Sequence, residues 1–381
     1  MNPKPETHTF NFTPTSIVQR VLASFSLRKD AVVTIGLAND RLYFQTEADG
    51  CTLRTSQPVD NCAPDAQFDF AIEPRIATKL YTLFPYAVQA SCDNETFCVN
   101  HENSTIRIRA WPAAKSPVRI STDEIIRQSI SSETLKSALD FVLPFAKPSR
   151  LHREDSDLHF QGNAIVSGKD TWAAALVTFA AAFTPREFSL SSSGASRLRS
   201  ALAYMSANVE ICIGNESVQF SDENTTFSLT PAQRKYPPAE ALLRRVPTSK
   251  HFLKPSDFIK SLMCHSALLR PSHAKDTATM TIKYDPARST ELPIKVKNNV
   301  VPGLSSKGVW SATGNGSPSH WLARADLESL LTVVVLDDTA PVSLAPMSSH
   351  GALYIGQNCS DFDSHILFAN PAPANGYARA T

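Results

Sequence analysis

The stretch Ser167-Gly168-Lys169-Asp170 has residue types that could do chemistry. A lysine in a glycine turn is how phosphate-binding loops hold a nucleotide. Here both the leading glycine and the hydroxyl after the lysine are missing. Gly303-Leu304-Ser305-Ser306 offers a serine in a glycine turn but lacks the second glycine of a nucleophile elbow. Cys264 and His265 are adjacent on a predicted helix, so they point to different faces and do not by themselves pair as nucleophile and base. His152 and His159 lie in a polar stretch and read as solvated. The ten histidines are scattered, and none forms a His-x-x-x-His or His-Glu-x-x-His pair. The seven cysteines are odd in number and include no Cys-x-x-Cys, which fits free thiols in a reducing cytosol. The expectation is a protein without catalytic residues, metal site or cofactor.

The elements that would position any site are short and mostly alternate in polarity. Ala31–Gly36 and Asp40–Thr46 read as strands joined by an Asn-Asp turn, followed by strands at Cys51–Val59 and Gln67–Ile72. Glu73-Pro74-Arg75 opens a helix to about Phe84, with Ile76, Leu80 and Leu83 on one stripe. Strands follow at Ala87–Cys92, Thr96–Asn100 and Thr105–Ala110. An amphipathic helix, Thr15–Phe25, precedes them all. The order then recurs. Helices are predicted at Ser132–Phe145, Ser193–Met205, Pro255–Ser266 and Arg324–Leu331, each followed by three strand-like runs.

Asn94-Glu95-Thr96 matches Asn215-Glu216-Ser217, and Glu102-Asn103-Ser104-Thr105 matches Glu223-Asn224-Thr225-Thr226, both at one offset of 121 residues. Self-similarity at that period means duplicated domains rather than a solenoid. Proline-containing polar stretches at Trp111–Pro117 and Arg245–Ser249 serve as linkers. The expected division is 1–117, 118–247 and 248–371, with 372–381 as a flexible tail. Hydrophobic residues make 42% of the 381 and charged residues 19%, a folded composition. Lys+Arg is 37 against 36 for Asp+Glu, so the net charge of +1 excludes a uniformly basic DNA-coating protein. It leaves room for cations gathered on one surface. No apolar run is long enough to span a membrane, and the first residues lack the apolar core of a signal peptide. A cytoplasmic location is expected.

Three domains, each a doubled helix-plus-three-strand unit, resemble the bacterial β sliding clamp (the DNA polymerase III β subunit), of which this chain reads as a divergent member. The local text agrees best at Lys235-Tyr236-Pro237-Pro238 and Leu243-Arg244-Arg245-Val246, followed by His251-Phe252-Leu253 and Asp257–Leu262. Phe68–Ile72, with a helix ending in Leu83-Phe84-Pro85, looks similar too. Three places depart from the pattern, one of them the unusually polar and short segment Arg150–Asp157. Ser167–Ala173 replaces the family's Thr-Asp-Gly-His-Arg-Leu-Ala-like turn, and Ile366–Pro371 replaces its Met-Pro-Met-Arg ending.

The resemblance implies an α+β fold of three tandem domains closing as a head-to-tail homodimeric ring. Such a ring encircles duplex DNA without reading its sequence and tethers a DNA polymerase. It also implies that paired helices line the hole. The cations on those helices here are Arg20, Arg75, Lys79, Lys136, Arg197, Arg199, Lys254, Lys260 and Arg324. Polymerase and clamp loader would dock short peptides in an apolar groove. Carried over residue by residue, one wall is Ser167, Lys169, Asp170, Thr171 and Trp172. Pro238, Arg245 and Val246 form the floor, and Ile366, Phe368 and Asn370 the other side. The competing reading is a β-rich structural or binding protein of a phage or mobile element that encircles nothing.

Overall fold

The computed structural model describes residues 8–13, 33–48, 50–63, 66–73, 75–77, 79, 88–93, 96–109, 111–112, 126–146, 157–169, 173–184, 186–214, 216–232, 238–269, 278–285, 290–298, 303–314, 321–326, 330, 337–347 and 352–368. The described residues are mostly strand, arranged as two compact units. One holds residues 1–135 and 196–231, the other 136–195 and 232–381.

The first unit contains two antiparallel sheets. The four-stranded one has the order β1 (His8–Phe12), β6 (Val88–Cys92), β7 (Thr96–His101), β8 (Ser104–Arg109). The nine-stranded one runs β10 (Ile126–Ser131), β15 (Asn208–Ile213), β16 (Val218–Ser221), β17 (Thr225–Leu229), β4 (Cys51–Pro58), β3 (Arg41–Ala48), β2 (Val33–Ala38), β5 (Phe68–Ile72), β9 (Trp111–Pro112). Strand alternation explains the core. Phe10, Phe12, Phe97, Val99, Val33, Ile35, Phe44 and Phe70 are the inward positions and form one buried cluster. Phe70 and Phe97 pack with ring centroids 5.2 Å apart. The Asn39-Asp40 turn has φ of 52° and 55°, both left-handed, as a two-residue hairpin between β2 and β3 requires.

The second unit also has two antiparallel sheets. The eight-stranded one runs β14 (Phe188–Ser191), β11 (Asp157–Gln161), β12 (Ala164–Lys169), β13 (Ala173–Phe179), β25 (Phe362–Phe368), β24 (Leu353–Asn358), β23 (Val342–Pro346), β18 (His251–Leu253). The four-stranded one runs β21 (Ser305–Ser311), β20 (Glu291–Asn298), β19 (Ala278–Tyr284), β22 (Trp321–Asp326). Four α-helices are described from end to end: α1 (Ser132–Val142), α2 (Ser192–Leu202), α3 (Ala239–Leu243) and α4 (Pro255–Leu269). The first two begin where a strand ends in serine. Ser131 Oγ accepts the Thr134 N–H, and Ser191 Oγ accepts that of Gly194, satisfying a free donor of each first turn. Pro255 opens α4, where a missing N–H costs nothing.

One pairing rule runs through all four sheets. In each four-strand group, three consecutive strands are joined by a fourth from elsewhere in the chain, which pairs with the first of the three. β1 pairs β6, β10 pairs β15, β18 pairs β23, β5 pairs β2, β14 pairs β11, and β22 pairs β19. The last strands of two groups then meet at β17–β4, and those of two others at β13–β25. The repeat at 121 residues appears as matching turns. Asp93 N–H bonds the Thr96 carbonyl, and Gly214 N–H bonds that of Ser217.

The predicted helix Thr15–Phe25 lies outside the described residues. Arg324 falls on β22, opposite Thr281, rather than at a helix start, because Trp321–Asp326 completes the sheet beside β19. Four strands, β1, β9, β10 and β22, are not predicted by the sequence pattern. Of these, β1, β10 and β22 are fourth strands whose partners lie far along the chain.

Candidate nucleic-acid interface and partner groove

Sequence period places the helix cations away from the core. On α4, Phe258 and Leu262 are buried, whereas Lys260 is exposed and Lys254, one residue before the helix, is exposed too. On α2, Ala195, Leu198, Ala201 and Leu202 are buried while Arg199 is exposed and Arg197 half-buried. Lys136 on α1 is half-buried beside buried Leu135 and Leu139. Ile76 and Ala77 N–H groups bond the Glu73 carbonyl, starting a helical turn on which Arg75 and Lys79 are exposed. Arg20 lies outside the described residues.

The groove residues divide sharply. Helix α3 is short and rests on the eight-stranded sheet, held by an Ala239 N–H that Gln161 Oε1 accepts at 2.7 Å. Beneath it Val166, Leu176, Leu367, Tyr354 and Ala345 form a buried cluster with Ala239 and Leu242. Ala174, Leu243, Val246 and Met347 pack against this cluster and remain half-buried, so they form its accessible apolar rim. Pro238 precedes α3 and is exposed, as is Arg245 beside Val246. Floor residues Pro238, Arg245 and Val246 therefore flank this one helix, Pro238 before it and the other two after it.

Ser167, Ile366 and Phe368 sit elsewhere. Ser167 lies opposite Ala175, which lies opposite Ile366, and Ala173 lies opposite Phe368. These rows alternate with the rows that hold Val166–Leu176 and Ala174–Leu367. With a side-chain period of two, all three residues point to the sheet face away from α3, where each is fully buried. Their neighbours Val166 and Leu367 occupy the face the carry-over intended, one residue out of step. Ser167 Oγ has no hydrogen-bond partner there. Lys169 ends β12, opposite Ala173. Asp170, Thr171, Trp172 and Asn370 lie outside the described residues.

A buried polar chain adjoins this cluster, and sequence reasoning missed it. Tyr354 Oη bonds His365 Nδ1 at 3.0 Å, and Lys250 Nζ donates to Tyr354 Oη at 3.4 Å. Lys250 Nζ also lies 4.8 Å from the centre of the Tyr354 ring, a cation–π contact. Burial, and then the nearby Lys250 charge, hold His365 down to about 4, so it is neutral at pH 7. Burial also raises the Tyr354 phenol and lowers the Lys250 amine. The ring of Tyr354 lies over Gly356, whose missing Cβ makes room for it. The signal was Tyr354-x-Gly356 on one strand facing His365 on the next.

Among the described residues no group of three or more His, Cys, Asp or Glu could hold a metal ion, and no helix is long and apolar enough to cross a membrane. The described cysteines are all free.

No protein-family model matches the chain, and no curated protein sequence matches it. Solved structures do. The β sliding clamp of C. crescentus superposes with a TM-score of 0.76 over 97% of this chain and 100% of that one, at 12% identity. The DNA polymerase III β subunit of Thermotoga maritima gives 0.74 over 96% and 100%, at 12% identity. A Pseudomonas aeruginosa sliding clamp solved with griselimycin bound gives 0.77 over 96% and 100%, at 14% identity. Length and superposition agree: the chain has the fold of the bacterial DNA polymerase III β sliding clamps, at sequence identities of 12–16%.

Proposed function

We propose that this chain is a DNA sliding clamp, a non-catalytic processivity factor. It has three tandem domains, 1–117, 118–247 and 248–371, and a tail at 372–381. Two copies close head to tail around duplex DNA in the cytoplasm and tether a replicative polymerase.

The pattern of end strands carries this reading. Of the six four-strand groups, four are joined through their last strands, at β17–β4 and β13–β25. The last strands of the other two are β8 and β21. Among the described residues, β8 pairs only with β7, and β21 only with β20. An open edge is a template for another strand. A third antiparallel joint, β8 of one copy to β21 of another, repeats the rule already used twice. Made at both ends, it closes a two-fold assembly.

The helix cations Arg75, Lys79, Lys136, Arg197, Arg199, Lys254 and Lys260 support a DNA-lined hole, with Arg20 added in the same reading; Arg324, on strand β22, drops out of that set. Phosphate attraction is non-directional, so such a surface holds a duplex while letting it slide. The groove at α3 is the docking site for polymerase and loader peptides. Its rim is Ala174, Leu243, Val246 and Met347, with Pro238 and Arg245 beside it. Ser167, Ile366 and Phe368 support that sheet from behind, and Lys169, Asp170, Thr171, Trp172 and Asn370 extend the walls. An aliphatic or aromatic peptide residue fits the apolar rim.

Sedimentation equilibrium at micromolar concentration tests the assembly. A mass near twice 41.6 kDa is expected. A protein that stays at 41.6 kDa contradicts the ring and favours a β-rich binding protein.

A further inference from the structure

The four-stranded sheet of the second unit has one apolar and one basic face. Met280, Ile282, Leu292, Ile294, Val296 and Trp310 are buried on the first, which takes α4 through Phe258, 5.3 Å from the Trp310 ring. The alternate positions face away from α4. Lys295 and Lys297 on β20, Lys283 on β19 and Lys307 on β21 are all exposed there. Register gathers them. Lys295 lies opposite Lys307 on one side and Thr281 on the other, and Lys297 lies opposite Ser305 and Thr279. Arg324 continues the Lys295 row at the next strand position, opposite Thr281. The acids are marginal. Glu291 and Asp285 stand where β19 turns towards β20, and Asp326 is on the edge strand opposite Thr279.

Lys295 facing Lys307 is a like-charged pair directly across a ladder, which destabilises a sheet. Among the described residues none of the four lysines makes an ion pair. Folding therefore gives no reason for the arrangement. A ligand with regularly spaced negative charge does. Lys295 and Lys297 are about 7 Å apart along the strand, and Lys295 and Lys307 about 5 Å apart at Cβ across it. Threonine and serine hydroxyls lie between them. Of the large apolar side chains, Val309, 56% exposed, stands on this face at its edge. A protein partner needs a buried apolar anchor, whereas a phosphodiester backbone needs only cations and hydroxyls.

We propose that this lysine face is a second nucleic-acid contact, a sequence-independent seat for the phosphate backbone of duplex DNA on the side of the sheet away from α4. It goes beyond the ring reading, in which DNA meets helices. A clamp with such a face holds DNA outside its hole as well as within.

The test is fluorescence anisotropy of a short linear duplex with the full chain and with K295Q/K297Q/K307Q. Near 50 mM salt the variant should bind at least tenfold more weakly, and the slope of log affinity against log salt should fall by about 0.9 for each lysine removed. Hydrogen exchange should show β20 and β21 protected by the duplex in the parent chain. Unchanged affinity and slope, or protection confined to the helices, would overturn the proposal. So would polyglutamate or phosphatidylserine vesicles displacing the duplex through the same lysines at lower concentration, because the face would then serve an acidic protein or a membrane. Retention on nicked circular DNA reads the ring separately and should persist in the variant.

Discussion

The two four-stranded sheets share a topology and differ on their outer faces. In β1-β6-β7-β8 the exposed and half-buried positions of β6 and β7 are Gln89, Ser91, Thr96, Cys98 and Asn100, and only Arg107 and Arg109 on β8 are charged. In β22-β19-β20-β21 the same positions are rich in lysine. Both inner faces are packed with large apolar side chains. Alternation makes the fold from one face of each strand and leaves the other free to vary. Two sheets can therefore fold alike and meet different partners.

The largest expected effect tests whether the inner faces are equivalent. Phe97 on the inner face of the first sheet and Phe258 of α4, against the inner face of the second, are both fully buried against another aromatic ring. Phe97→Ala and Phe258→Ala should each cost about 3–5 kcal/mol, read by urea unfolding. A loss in one and not the other would mean that the two cores differ as the surfaces do.

Acid should separate the regions next. His251, His265 and His365 are all buried in the second unit, and burial lowers each of them. His265 Nδ1 lies 2.7 Å from Ser306 Oγ on β21, with its ring against Gly308. A histidine kept neutral in the folded state takes up its proton more readily once unfolded. Its contribution is full above pH 6.5 and is lost as pH falls towards the folded value. For His365, with a folded value of about 4, the loss is roughly 1.4 kcal/mol per pH unit below 6.5. Hydrogen exchange at pH 5, corrected for intrinsic rates, should show lost protection around β21, β24 and β25 before β6–β8.

The open edges come third. Val309→Arg puts a cation on β21, and β8 already carries Arg107 and Arg109 at exposed positions. The dimer should dissociate at least tenfold more readily, about 1.4 kcal/mol, by sedimentation. The smallest effect is a transfer of the surface itself. Thr96→Lys with Cys98→Lys sets each new lysine opposite Arg109 or Arg107, so each should cost about 0.2–1 kcal/mol while raising the salt slope of DNA binding by about 0.9 per lysine.

Period two made most strands legible, and the hairpin signals at Asn39-Asp40 and at the 121-residue repeat located their turns. The fourth strands β1, β10 and β22 were not legible, because what makes them strands is a partner distant in the chain, Ala90 for Phe10, Glu210 for Ser129 and Ile282 for Ala323. At the groove, Val246 could be placed from its neighbours. Ile366 and Phe368 could not, because a shift of one residue moves a side chain through the sheet and short apolar runs such as His365–Phe368 do not mark their faces. The lysine face was invisible for a related reason. Its members lie on separate strands, and only the register of β19, β20 and β21 brings them together.

Encirclement is tested most directly by topology. The protein is incubated with nicked circular DNA and passed over a sizing column at a salt concentration that removes surface-bound chain, before and after one cut linearises the DNA. A ring travels with the circle and is lost from the linear form. Equal loss from both, or equal retention on both, would contradict encirclement.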